Sequence, residues 1–322
     1  MLRLTIEQRR GFAVEGEHPV DACLSDGHGL VVQVGEDRLT TFRSAAKPFQ
    51  LETSLALLTP AQRVMLTSRD LALGAASHHG EPFHVAQVRD LLSRLGRTPE
   101  HLYCGVHAPS DQASARALFA SGAEPSVLHN NCSGKHSFMA AACAAHGFAQ
   151  DYRGPEHPLQ QQVLETLQAR TDGAVAGSVV DGCGIPCFVL PLSAMALAWA
   201  RVAHAMRDDP EPHGLGAIGR AMLEHPRLMS GTHAFDGFLA EQTGVVAKVG
   251  AQGLLCVALP KQGLGLALRA RSGSDAVRPQ AALSLLERFV PEALPAAVPS
   301  EYTGVFNLVG QHVGDIVARW LD

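Results

Sequence analysis

No long apolar run occurs in this 322-residue sequence. The apolar stretch "CFVLPLSAMALAWA" has 14 residues and is interrupted by Pro191 and Ser193, so it is too short to span a bilayer and reads as a buried strand leading into a core helix. Positive charge is also scarce. With 26 Lys and Arg against 31 Asp and Glu, the formal net charge is −5, which argues against nucleic acid or an anionic membrane as partner. The opening "MLRLTIEQRR" has no apolar core of signal-peptide length, so the expected location is cytoplasmic. The cysteine count of seven is odd, which does not suit a fully paired disulfide framework and fits reduced thiols, some buried and some available to a metal. Several nucleotide and hydrolase signatures are missing. "GLGLAL" lacks the third glycine of a dinucleotide fingerprint, and no G-x-S-x-G is present. "HNNCSGKHS" fails as a phosphate loop, because His129 stands five before Gly134 and His136 follows Lys135. No repeat, low-complexity tract or linker appears, so a single domain over 1–322 is expected, with a helical part over roughly 44–225 as its one subdivision.

What is present reads as a folded globular chain, 46% hydrophobic and 18% charged. Near the start, "VDACL", "LVVQV" and "RLTTF" are separated by "SDGHG" and "GED", which is hairpin punctuation. Helical patterns begin at Ser44. In "HVAQVRDLLSRLG", Val85, Val88, Leu91, Leu92 and Leu95 share one face and Gly96 offers a C-terminal stop. Alanine-rich helices are expected through much of 111–147 and 191–225. Strands return at "GLLCVAL" and "LGLALRA" around "PKQG", and again near "TGVFNLVG". Strands at both ends with helices between them imply an α+β fold, one antiparallel sheet built from both termini and covered by helices.

The chemistry-bearing residues cluster in a few motifs. Ser44 precedes Lys47 by three positions and Pro48 follows, which places the lysine in a first helical turn. A cation there is disfavoured by about 0.3–1 kcal/mol. Read plainly, Ser44 is an N-cap, but a capping box would carry Glu or Gln where Lys47 stands. Read chemically, a desolvated lysine beside a hydroxyl is a general base beside a nucleophile. Ser77 in "ASHHGE" and Lys248 in "KVG" resemble the second serine and the strand-preceding Lys-Thr-Gly triplet of penicillin-binding-type acyl transferases, with valine in place of the threonine. Cys132 and Cys183 lie in polar, glycine-containing segments that suit ligand thiolates; two thiolates, a nitrogen ligand and a water would make an open zinc site. His78, His79 and His84 are read as coincidental, given 16 histidines in the chain.

Taken in order, "RSAAKPFQ", "ASHHGE", "LHNNCSGKHS", "DGCGIPCFVLPL" and "VVAKVGAQG" resemble the rhizobial-type L-asparaginase family, asparaginase II, from about Arg10 to the C-terminal "FNLVGQHVGDI". The resemblance implies a fold similar to serine β-lactamases and glutaminases, and an enzyme that releases ammonia from L-asparagine. It implies two serine–lysine tandems, Ser44 with Lys47 and Ser77 with Lys248. It also implies a zinc ion held by Cys132, Lys135 and Cys183 with Asp181 alongside, and a homodimer. The chain departs from the family pattern at Arg269, where a lysine is usual, and at "SGSD". A glutaminase or a β-lactam hydrolase on the same fold is the nearest alternative, and a non-catalytic zinc-stabilised binding protein a remote one.

Overall fold

A computed structural model describes residues 2–321. In chain order the strands are β1 (Arg3–Arg10), β2 (Ala13–Ser25), β3 (Leu30–Val34), β4 (Leu39–Thr41), β5 (Gly177–Val180), β6 (Pro186–Pro191), β7 (Val246–Val249), β8 (Leu254–Leu259), β9 (Leu264–Ala270), β10 (Gly304–Phe306) and β11 (His312–Leu321). The helices are α1 (Lys47–Leu57), α2 (Pro60–Val64), α3 (Ser68–Gly74), α4 (Pro82–Arg94), α5 (Gln112–Ala120), α6 (Ser133–His146), α7 (Pro158–Arg170), α8 (Leu192–Asp208), α9 (Leu215–Glu224), α10 (Pro226–Met229), α11 (Phe235–Thr243) and α12 (Arg278–Phe289). None of the described helices is long and apolar enough to cross a membrane.

The fold is α+β. Two compact units are distinguished, Met1–Ala45 with Leu190–Ala203 and Phe238–Asp322, and Ala46–Val189 with His204–Gly237. The first holds an eight-stranded antiparallel sheet in the order β10–β11–β1–β2–β9–β8–β7, with β3 also paired to β2. Strands from both ends of the chain therefore make one sheet, as the hairpin punctuation implies. The 13-residue β2 is what allows it: its first half pairs with β1 and its second half with β3, while Val20–Ser25 also pair with Ala270–Gly265 of β9. The "PKQG" turn joins β8 to β9 in register, Leu259 opposite Leu264. "RLTTF" does not extend the first hairpin, because β4 is not a strand of this sheet.

Two helical segments cover the sheet. α12 turns Ala281, Ala282, Leu285 and Leu286 inward against β1, β8, β9 and β11, and each fully buried leucine contributes about 1.5–3 kcal/mol. Its Ser284 accepts a hydrogen bond from the Trp320 indole at 2.9 Å. The start of α8 lies on the same unit. There Trp199 is fully buried and its indole N–H donates to the Ala45 carbonyl at 3.3 Å.

The second unit is a helical array. α6 runs "SGKHSFMAAACAAH" with every residue from Ser133 to Cys143 buried, because alanine and serine let α1 and α3 pack close on two sides. α4 buries Val88, Leu91 and Leu92, and Gly96 lies just beyond its end at φ +66°, the left-handed stop foreseen in the sequence. Val85 on that face is only half-buried.

The indole anchor of Ala45 is open to test. Trp199→Phe keeps an aromatic ring but removes the donor and some volume, so it should lower unfolding stability by about 1–3 kcal/mol in urea titrations.

Candidate active site

Helix α1 begins at Lys47, one residue after a 3₁₀ turn over Arg43–Ala46. Ser44 lies within that turn, half-buried, and is not the helix cap. The N-cap is Ala46, which makes no side-chain capping bond, and Pro48 occupies the first turn as expected. Arg43 just before it has φ +45°, a left-handed conformation that a non-glycine residue rarely adopts. Ser44 belongs to the sheet-bearing unit, as does Lys248, which is fully buried on β7 opposite Cys256 and donates to the Val249 carbonyl at 3.2 Å.

Within the helical unit the structure brings together Lys47, Ser77, Cys132, Lys135 and Cys183. The Lys47 side chain is 1% exposed. Its Nζ lies 2.9 Å from Ser77 Oγ and 3.2 Å from the Asn131 carbonyl, and also hydrogen-bonds the Ala76 carbonyl. Burial lowers its pKa; the Cys132 charge pulls the other way, and Lys135 adds to the lowering. The two carbonyls and the Ser77 oxygen all accept from Nζ, and the Cys132 sulfur is a further hydrogen-bond partner.

Each partner is delivered by local structure. α3 is started by a capping box between Thr67 and Asp70, and Asp70 is fixed by Arg94 at 2.6 Å and Gln87 at 2.9 Å. Its last turn presents Ala76 and Ser77. The Ser77 and His79 amides then donate to the Met229 and Ser230 carbonyls, both 2.9 Å or less, which holds the segment extended. The loop before α6 is fixed by buried Asn130. Its amide donates to the Cys104 and Gly105 carbonyls at 2.9 and 3.1 Å, while its oxygen accepts from Cys132 N at 2.8 Å. His107 Nε2 accepts from Asn131 N at 3.0 Å, which turns the Asn131 carbonyl toward Lys47. Gly134 is required by close approach: a Cβ there would lie 2.2 Å from the Leu73 carbonyl of α3.

Cys132 is the N-cap of α6 and Cys183 lies in the β5–β6 turn. All seven cysteines are buried and free. The two sulfurs hydrogen-bond, and Lys135 Nζ is 3.4 Å from Cys183 Sγ. The Cys183 hydrogen bond holds the Cys132 pKa well below the usual thiol value against the cost of burial, with Lys47 and Lys135 helping. Cys183 rises correspondingly, first because of its bond to Cys132 and then through burial. Negative charge on the pair is therefore favoured on Cys132 over Cys183. Lys135 is buried as deeply as Lys47 and shifts the opposite way: burial works against its charge, but Cys183, Cys132 and Asp181 outweigh it and its pKa rises. Asp181 is half-buried and accepts from Gly182 N at 2.8 Å.

Among the described residues no group of three or more His, Cys, Asp or Glu side chains is placed to hold a metal ion. The trio here has two sulfurs and an amine, and a thiolate hydrogen-bonded within such a trio is a donor set that fits a divalent ion of zinc type.

His78, Asn130 and His107 carry no motif signal, yet they support the site. His78 is fully buried: its Nδ1 accepts from Gly80 N at 3.1 Å and its Nε2 bonds the Ser133 hydroxyl at 2.8 Å, which fixes a neutral ring. His84 stacks on it at 4.9 Å, and burial lowers the His84 pKa to about 4. The histidine group thus has a structural role.

The sequence model of the L-asparaginase II family matches residues 6–318. Among solved structures, a β-lactamase from Mycobacterium bovis aligns with a TM-score of 0.45 at 13% identity, covering 85% of this chain and 95% of its own. No curated protein matches.

The depressed His84 pKa makes a prediction. Between about 4 and the ordinary histidine value of 6.5, the unfolded chain binds a proton that the folded chain refuses, so stability falls as pH falls through that window. Urea midpoints measured from pH 7 to pH 4 should decline, and His84→Gln should remove about 2 kcal/mol of that decline.

Proposed function

The chain belongs to the L-asparaginase II family and is on that footing a hydrolase, and we propose that it hydrolyses the side-chain amide of L-asparagine to aspartate and ammonia. The observation that supports this most directly is the Lys47–Ser77 contact, a buried amine whose pKa is lowered by burial, held 2.9 Å from a hydroxyl. Ser44, three residues before Lys47, is the attacking oxygen. As its Oγ bonds to the amide carbon, its proton passes to the Lys47 nitrogen. Ser77, seated on that nitrogen, hands a proton to the departing amine, and the C–N bond breaks to release ammonia and leave an acyl ester. Water then attacks the ester by the same route in reverse, freeing aspartate and restoring Ser44. Lys248 serves as the second amine, paired with Ser77 in the family pattern.

Cys132, Lys135 and Cys183 would hold a zinc ion, with Asp181 alongside. Bound there, zinc would supply Lewis-acid polarisation or a fixed point for substrate. Lys135 must lose a proton to become a ligand, so metal uptake should release protons. The working form is a homodimer in a reducing cytoplasm, which suits seven free thiols.

Ser44→Ala and Lys47→Met should each reduce ammonia release from asparagine about a thousandfold or more, and Ser77→Ala about a hundredfold. Activity within a few-fold of the native enzyme in Lys47→Met would remove the amine from the mechanism. The kcat/KM profile should rise with pH through an apparent pKa below the ordinary lysine value of 10.5, since burial lowers that of Lys47. Asparagine, glutamine and a chromogenic β-lactam assayed side by side separate the proposed reaction from its alternatives.

Metal analysis should find about one zinc per chain in the native protein and little in Cys132→Ala. Equal content in both would retire these ligands.

A further inference from the structure

A second cleft lies in the helical unit, between α4 and α5. It encloses about 360 Å³, within the ~300–1,000 Å³ typical of small-ligand sites. Its walls are Pro82, Val85 and Ala86 from α4 and Ala117 and Leu118 from α5. Arg89 and His129 stand at the cleft and no carboxylate lines it.

Neither group is satisfied by the protein. Arg89 has no ion-pair or hydrogen-bond partner among the described residues, and its nearest acid along the helix, Asp90, is paired with Arg94 at 2.8 Å. Glu81 is occupied by the amide and hydroxyl of Thr232, and Asp111 accepts from Ser114 N at the start of α5. The His129 ring uses Nδ1 to accept from Ser126 N at 3.0 Å, so in the neutral ring the proton sits on Nε2, which has no protein acceptor. A guanidinium and an imidazole N–H beside the same apolar walls are two donors awaiting an anion.

The helix that closes the cleft is unusual. α5 carries Ala117, Leu118, Phe119 and Ala120 in succession, yet none of its residues is buried, and Phe119 is 53% exposed. A nine-residue helix with so little packing does not form for its own stability. An occupant between α5 and α4 would supply the buried apolar area that the helix lacks.

We propose that this cleft binds a small amphiphile, an acyl or aryl chain bearing one anionic head, with the chain between α4 and α5 and the head on Arg89 and His129. Asparagine, small and polar throughout, does not match such walls, so the site is separate from the one that handles substrate. The cleft is too small for a folded partner and the uncompensated charge selects the sign of the ligand.

Octanoate and 1-octanol, below micellar concentration, are suitable probes for titration calorimetry on the intact protein. Octanoate should bind saturably with one site per chain, and more tightly than octanol. Arg89→Ala should weaken octanoate about fivefold and leave octanol unchanged. Ala117→Trp, which fills the cleft from a helix without buried residues, should abolish both while thermal unfolding and ammonia release stay as in the native protein. No saturable heat with octanoate, equal affinity for the two probes, or native-like octanoate binding in Ala117→Trp would each overturn the proposal. None of these readouts depends on which amide the enzyme cleaves.

Discussion

An amine taken out of water sets the terms for the rest of the helical unit. A charged lysine buried without compensation costs several kcal/mol, which is why such groups shed their proton instead. Lys47 is buried at the first position of α1, and its hydrogen-bond partners are the Ser77 hydroxyl, two backbone carbonyls and the Cys132 sulfur, with no carboxylate among them. Those acceptors come from two separate places in the chain, the end of α3 and the loop before α6. The packing of α3 against α6, tight enough that Gly134 admits no Cβ, is therefore what makes the lysine environment. Displacing either element would let water reach Nζ, and hydration would undo the burial that lowers its pKa.

Lys47 and Lys135 make a controlled comparison inside one unit. Both are buried to the same degree, 1% and 2% exposed, and both neighbour the Cys132–Cys183 pair. Each hydrogen-bonds one sulfur of that pair, Cys132 for Lys47 and Cys183 for Lys135; they differ in the rest, two carbonyls and a hydroxyl for Lys47 and the Asp181 charge for Lys135. Burial alone would lower both. For Lys135 the attraction of Cys183, Cys132 and Asp181 together outweighs desolvation, whereas for Lys47 the sulfur charges only moderate it. One sulfur pair thus lifts the pKa of one amine above its ordinary value, while burial still lowers that of the other.

Much of this was legible in the sequence, where side-chain type and spacing carry the information. Pro48 marked the start of α1, Gly96 the end of α4, and "PKQG" the β8–β9 turn. Strands whose neighbours lie far away were harder. β1 alternates Leu4 and Ile6 inward with polar residues outward, but its run of Arg and Glu hid the period. β5 is exposed at all four positions and has no period to find. At the site, motifs named the side chains but not their supports. Asn130, His78 and His107 act through backbone groups, and the carbonyls of Ala76 and Asn131 could belong to any residue type. The pairing of Lys47 with Ser77, 30 positions away, is a product of where α3 ends and has no local signature.

The helix end itself turns out to matter less than the sequence suggests. A macrodipole disfavours a cation in the first turn by at most about 1 kcal/mol, and less where solvent screens it. Desolvation of a fully buried ammonium is several times larger. Moved into solvent at the same helix position, Lys47 would be charged; buried at mid-helix, it would still tend toward neutrality. The value of the first turn is geometric. Residues there have no preceding turn for the side chain to lie against, so a long lysine can reach back past the helix start toward α3 and the loop before α6. Pro48 fixes that start, since its missing N–H prevents the helix from extending back by another turn without losing a bond.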